Sequence, residues 1–208
     1  MPMASYDWMP RNVAKFIAEN PNVSISMPVR SSRQILEWVA ADRLDFGVVL
    51  AVQGYPQVEV EELLRIPLVC LFPKESGLED RDQITRADLN NKTVVQLRSF
   101  DQWQESSERI LEGKGDFQPK SLVETYVTQA AAQIAKASRG CALIDLMSAL
   151  EMVDDTMCWR PFEGEEVFSV HLARPVRQRR ASIANFLIEQ IRTDAQALQQ
   201  KFEQLVKA

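Results

Sequence analysis

Three stretches of this 208-residue chain join a hydroxyl-bearing turn to the start of a helical pattern: Val29-Arg30-Ser31-Ser32, Leu97-Arg98-Ser99, and Thr125 to Thr128. Each follows residues of strand character. At such junctions the backbone N–H groups of the first helical turn lack intrahelical acceptors and carry partial positive charge. The hydroxyls add directional hydrogen bonds, and Arg30 and Arg98 carry guanidinium forks that match a carboxylate in a bidentate way. The chemistry this combination supports is reversible capture of a small anion, with no bond broken. Ser and Thr are equally the preferred helix caps, which by itself accounts for their places, and the two arginines are equally at home in solvent. What favours binding is the convergence of three hydroxyl-bearing helix starts in one α/β architecture, because the carboxyl ends of strands in such sheets are where ligands bind.

Other chemistry is poorly provided for. The chain has no Gly-x-Ser-x-Gly, no glycine-rich phosphate loop ending in Lys-Ser/Thr, and no Cys-x-x-Cys. A single histidine, His171, lies in the alternating run Val167 to Ala173, so neither a zinc site nor a histidine-based triad is expected. Cys70, Cys141 and Cys158 are odd in number and set among apolar residues, which predicts buried, reduced thiols, with redox sensing through Cys141 or Cys158 as the alternative. The acidic pairs Glu61-Glu62, Asp154-Asp155 and Glu165-Glu166 sit in polar stretches and read as solvated. No enzyme, metal or cofactor is expected. With 29 acidic against 24 basic residues the net charge is -5, which argues against direct grip on nucleic acid. No apolar run approaches a membrane span and no leader pattern opens the chain, so a cytoplasmic location is expected.

The elements that must position these groups follow from periodicity. Met9, Val13, Phe16 and Ile17 form one helical stripe that ends at Asn20-Pro21. Asn22 to Leu50 reads as a βαβ unit: an alternating strand in Val23, Ile25 and Met27, a helix with Ile35, Leu36 and Val39 on one side, and an apolar strand from Phe46 to Leu50, as expected of a parallel sheet. Leu68 to Phe72 and Thr93 to Leu97 are further strands. Ser99 has capping-box spacing to Gln102 and opens a helix to about Glu112. Ser121 to Val123 is a short strand, Thr125 caps a helix from Tyr126 to Ala137 closed by Gly140, and Cys141 to Ile144 is a buried strand. Asp145 caps a short helix to about Met152, Met157 to Phe162 and Val167 to Ala173 are strands, and one long helix follows from Ala181. Arg177, Arg179 and Arg180 ahead of it read as a solvated loop.

The order Pro2-Met3-Ala4, Met9-Pro10, Phe16, Pro21-Asn22-Val23, then Leu44-Asp45-Phe46-Gly47-Val48, Pro67-Leu68-Val69, Ala87-Asp88-Leu89 and Ala137 to Leu143 resembles the effector-binding domain of LysR-type transcriptional regulators. The similarity covers essentially the whole chain. Its most specific piece is the helix followed by LDFGVV at the observed distance from PNVSI. The resemblance implies a type II periplasmic-binding-protein-like α/β fold: two Rossmann-like lobes joined by two crossovers, residues 1–71 with 171–208 and residues 72–170, holding a small-molecule co-inducer between them. It places Met3 to Ser5, Arg30 to Ser32, Leu97 to Phe100 and Thr125 to Thr128 on that cleft, so Met3, Ser5, Arg30, Ser31, Ser32, Arg98, Ser99, Phe100, Thr125 and Thr128 are the expected ligand contacts, with Ser32 foremost.

The resemblance further implies a homodimer through this domain, a tetramer in the full-length protein, and promoter DNA bound only through a winged helix-turn-helix expected ahead of a chain that starts near the end of its first strand. The expected ligand is a small carboxylate-bearing metabolite of amino-acid or opine type. A periplasmic solute-binding protein for transport shares the architecture and is the alternative; an enzyme on the same fold is a further one.

Overall fold

The computed structural model describes residues 7–50, 54–97, 117–164, 167–177 and 183–207. It divides into two compact units, Met1–Arg65 with Ser169–Ala208 and Ile66–Phe168, so the chain passes from one to the other twice.

Unit 1 opens with helix α1 (Trp8–Glu19), which buries Trp8, Met9 and Phe16. Ile17, expected on the same stripe, is 44% exposed. The helix ends where Asn20 donates its backbone N–H to the Phe16 carbonyl and Pro21 forbids continuation. Helix α2 (Ser32–Ala40) packs Ile35, Leu36 and Val39 against Val49 of strand β1 (Gly47–Val49) and Ala173 of the late strand β7 (Val167–Pro175). Strand β1 pairs antiparallel with β7, Gly47 opposite Ala173 and Val49 opposite His171. The first part of strand β2 (Val58–Pro73) lies on the other side of β7, where Val176 donates to the Gln57 carbonyl and Arg174 meets Glu59 at 2.8 Å.

This corrects two expectations. Residues 23–30 belong to no strand, so the βαβ unit loses its first member, and the strand after α2 has an antiparallel partner rather than a parallel one. The periodicity of Val23, Ile25 and Met27 is that of a strand, but a strand needs a neighbour to pair with, and the described residues provide none.

The terminal helix α5 (Ile183–Lys207) closes unit 1 on α1. Leu187, Ile188, Ile191, Ala195 and Phe202 are its buried face. A polar ladder fixes the register: Trp8 Nε1 donates to Asp194 Oδ2 at 2.6 Å, Asn12 Nδ2 donates to the same oxygen, and Gln190 Nε2 donates to the Asn12 carbonyl at 2.8 Å. Glu61 and Glu62 are exposed, as expected, and form surface ion pairs: Arg192 donates to both oxygens of Glu61, and Arg65 donates to Glu62.

Unit 2 is built on one sheet in the order β6 (Met157–Pro161), the second part of β2, β5 (Cys141–Asp145), β3 (Thr93–Leu97) and β4 (Ser121–Thr125). Strand β3 runs parallel to both β4 and β5, and β2 runs antiparallel to both β5 and β6. Val69 to Phe72, Val94, Val95, Ala142 and Ile144 are fully buried, as their unbroken apolar runs require. Helix α3 (Thr128–Ser138) packs small residues, Ala131, Ala132 and Ala135, on β3 and β5, and α4 (Leu146–Met152) follows β5 at once. Cys70 and Cys141 are buried thiols and Cys158 is half-buried, all reduced; burial, with Cys141 beside it, pushes the Cys70 thiol up.

Two glycines are dictated by close approach. A Cβ on Gly47 would lie 2.2 Å from Ile35 Cγ2, and a Cβ on Gly140 would lie 2.2 Å from the Thr93 carbonyl oxygen. The left-handed residue that ends α3 is Arg139 (φ 51°), one position before the expected Gly140. Gly140→Ala is therefore expected to destabilise more than Gly47→Ala, because Ile35 can shift its side chain whereas the Thr93 carbonyl is held in the sheet. Urea unfolding should show about 1–3 kcal/mol lost for Gly47→Ala and a larger loss for Gly140→Ala.

Candidate functional site

The parallel part of unit 2 gathers three strand ends on one edge. With Leu97 opposite Thr125 and Gln96 opposite Leu143, the carboxyl ends of β3, β4 and β5 fall at Leu97, Thr125 and Asp145. Helices α3 and α4 start from this edge. The positive end of α3 therefore lies where the strand carbonyls finish, the arrangement that binds anions in open α/β sheets.

The helix starts are closed in different ways. At α4, Asp145 Oδ1 accepts the Ser148 N–H at 2.8 Å, as its capping position predicted. Asp145 is fully buried, its Oδ2 has no hydrogen-bond partner among the described residues, and burial raises its pKa, which favours the neutral acid. At α2, Ser31 is the cap and accepts the Gln34 N–H at 3.3 Å. At α3 the cap position is Val127, which has no polar side chain, and no capping bond is made. Thr125 is not the cap that sequence suggested: its hydroxyl accepts the Val127 N–H at 3.2 Å in a tight turn, and the helix begins two residues later than expected, at Thr128. Thr128 is 2% exposed and stands in the uncapped first turn.

In unit 1, Ser32 is 1% exposed and its Oγ accepts the Leu50 N–H at 3.0 Å, which ties the start of α2 to the end of β1. Arg30 is exposed and lies over the Trp38 ring, 5.6 Å from its centroid, with Arg43 at 5.1 Å from the same centroid. Such stacking at an exposed site contributes about 0.5–1 kcal/mol and orients the arginine. The structure thus brings Arg30, Ser31 and Ser32 together in unit 1 and Thr125 and Thr128 together in unit 2. Met3, Ser5, Arg98, Ser99 and Phe100 lie outside the described residues. Sequence reasoning missed Trp38, whose eight-residue separation from Arg30 carries no periodic signal, and missed the uncapped start at Val127 because a capping Thr stood close by.

The sequence model described as the LysR substrate binding domain matches residues 1–196. Transcriptional activator protein LysR of Escherichia coli strain K12 is 23% identical over 178 residues, 86% of this chain, and the chain spans 57% of that relative's length. Among solved structures, the BenM effector binding domain with its effector benzoate aligns with a TM-score of 0.75 at 15% identity, covering 96% of this chain and 90% of that one. The regulatory domain of Synechocystis PCC6803 CcmR in complex with 2-PG aligns at 0.75 and 14% identity, covering 93% of each. The fold is the type II periplasmic-binding-protein-like class.

The caps separate charge from geometry in a measurable way. A carboxyl whose pKa is raised by folding costs nothing below its unfolded value, near pH 4, and costs progressively more as pH rises toward the folded value. Asp145→Asn keeps an acceptor for the Ser148 N–H without the charge, so its stability relative to the parent should improve from pH 4 to pH 8. Asp145→Ala loses the acceptor and should fall by about 1 kcal/mol at pH 4. Urea midpoints across that range distinguish the two.

Proposed function

The chain belongs to the LysR substrate binding domain family, and from that membership we propose that it senses a small carboxylate-bearing metabolite for a bacterial transcriptional regulator. The observation that carries the ligand class is the first turn of α3: a helix start at the carboxyl edge of parallel strands whose cap residue, Val127, has no polar side chain. An anion is the natural occupant of such N–H groups, and the Thr128 hydroxyl stands in the same turn. Ser32, at the start of α2 in unit 1, is proposed as the opposing contact, with Arg30, Ser31 and Thr125 beside these two and Met3, Ser5, Arg98, Ser99 and Phe100 completing the set. The metabolite's preference for one of the domain's conformations is what is proposed to shift the equilibrium.

Benzoate, the effector of BenM, is itself a carboxylate, which supports the class. An amino-acid or opine-like compound is the proposed identity. The reading extends to a cytoplasmic protein that pairs through this domain, forms tetramers in its full-length form, and meets promoter DNA through a winged-helix segment. No reaction is assigned, since the relatives are regulators.

The test is thermal unfolding against benzoate, the twenty amino acids and the opines octopine and nopaline, each beside its primary amide. A carboxylate at a hundred times its Kd stabilises by about 2.7 kcal/mol, several degrees in a domain of this size. The amide analogue of the active compound should give no shift. Thr128→Val, which keeps shape and β-branching, should unfold at the unliganded temperature of the parent and bind about tenfold more weakly; an undiminished response would contradict the assignment.

A further inference from the structure

Unit 2 has a hollow of about 250 Å³ at the edge where β5 begins and α3 ends, the reverse of the edge from which α3 starts. Three segments distant in sequence wall it: the turn Pro73 to Ser76 after β2, Lys136 and Arg139 at the close of α3, and Asp155-Thr156 ahead of β6. Each wall is pinned. Ser76 donates its N–H to Glu79 Oε1 at 2.7 Å, Lys92 Nζ donates to the Ser76 carbonyl at 2.8 Å, and Lys74 donates its N–H to the Thr156 carbonyl at 2.9 Å. Asp154 Oδ1 accepts the Thr156 and Met157 N–H groups, and its Oδ2 accepts from Lys136 Nζ at 3.1 Å. The Thr156 hydroxyl and N–H, with Lys136, hold the Asp154 carboxyl well below the usual carboxylate range, so Lys136 is positioned by a partner that stays ionised.

Packing does not account for what lines this hollow. Arg139 (φ 51°) and Glu75 (φ 77°) both border it, and they are two of the four non-glycine residues with positive φ among the described residues. The left-handed position that ends a helix favours Gly or Asn. An arginine there gives up backbone stability and gains a guanidinium at the hollow. Ser76 borders it too, and its Oγ is buried with no hydrogen-bond partner among the described residues, a condition that an occupant would relieve. The charges then select the occupant. Lys74, Lys136 and Arg139 supply three cations, whereas a single carboxylate uses one guanidinium fork. A tetrahedral dianion presents oxygens in several directions and takes a fork and point-like ammonium groups together.

We propose that this hollow is a second ligand site, separate from the start of α3, and that it binds a phosphate group through Arg139, Lys74 and Lys136 with the Ser76 hydroxyl as a further donor. Glu75 and Asp155, which also line it, oppose any second anionic group on the ligand and accept from a cationic one. A small phosphomonoester that carries an ammonium therefore matches the lining more fully than the free ion does. Because every wall belongs to unit 2 and is tied by its own hydrogen bonds, the site is formed before the ligand arrives.

The experiment titrates the 208-residue chain with inorganic phosphate and with O-phosphoethanolamine, in a phosphate-free buffer balanced with sodium chloride to constant ionic strength, and follows backbone amides by NMR. The Lys74, Glu75, Ser76, Arg139 and Thr156 amides should shift together to saturation. Tighter binding of the ester supports the site together with the role of its two carboxylates, and equal binding supports the site with the free ion as occupant. Arg139→Gly suits the left-handed position and removes the guanidinium without loss of fold, so it should weaken binding about tenfold while the urea midpoint stays level or rises. Lys74→Gln should add to that loss, and Arg139→Lys, which keeps a positive charge, should lose less. Thr128→Val should leave this titration unchanged, which separates failure here from failure at the start of α3. Three results would each overturn the proposal: shifts that never saturate at constant ionic strength, which mean an adventitious ion only; saturable binding undiminished in the Lys74→Gln, Arg139→Gly double variant; or shifts confined to Thr128, Gln129 and Ala130.

Discussion

The first-turn amides of a helix have no acceptor within the helix, and what meets them governs this molecule. At α4 it is the buried Asp145 carboxyl, at α2 the Ser31 hydroxyl, and at α3 the cap residue, Val127, offers no polar side chain. A capped end is spent on stability. An uncapped end that sits where parallel strands finish has its donors and its dipole directed at whatever occupies that edge. Parallel pairing of β3 with β4 and β5 is what makes the edge, because it lines up Leu97, Thr125 and Asp145 and launches α3 from there.

The Asp145 carboxyl at the same edge is shifted toward its uncharged form. Burial raises its pKa and favours the uncharged acid, and the oxygen that caps α4 is turned to the Ser148 amide. Unit 1 reaches a comparable geometry by another route. There the start of α2 is fastened to the end of β1 through Ser32 and Leu50, and Gly47 lets β1 approach Ile35 closely enough for that bond to form. Ser32 is thereby a structural tie as well as a proposed contact.

Most of the architecture was readable from the chain. The apolar runs at Leu68 to Phe72, Thr93 to Leu97 and Cys141 to Ile144 announced themselves as buried strands, and Asp145 was recognisable as a cap, because these features are local. Pairing is not local. Nothing in Val23 to Met27 says whether a partner strand lies beside it, so a correct period became an incorrect strand; nothing in Phe46 to Leu50 distinguishes a parallel from an antiparallel neighbour. The hydroxyls at Ser31, Ser32 and Thr128 were found from type and spacing, but which of them caps a helix depends on where the helix starts to within a residue, and Thr125 shows how a two-residue error changes the role. Stacking of Arg30 on Trp38 lies across a turn that only the fold closes.

The most direct measurement of the central claim is an amide-resolved NMR titration of the 208-residue domain with whichever carboxylate stabilises it. Capture at the start of α3 predicts that the Thr128, Gln129 and Ala130 amide protons move downfield together, to the same saturation point as the thermal response, and stay in place when the corresponding primary amide is added. Movement confined to other residues, with these three unchanged at saturation, would contradict it.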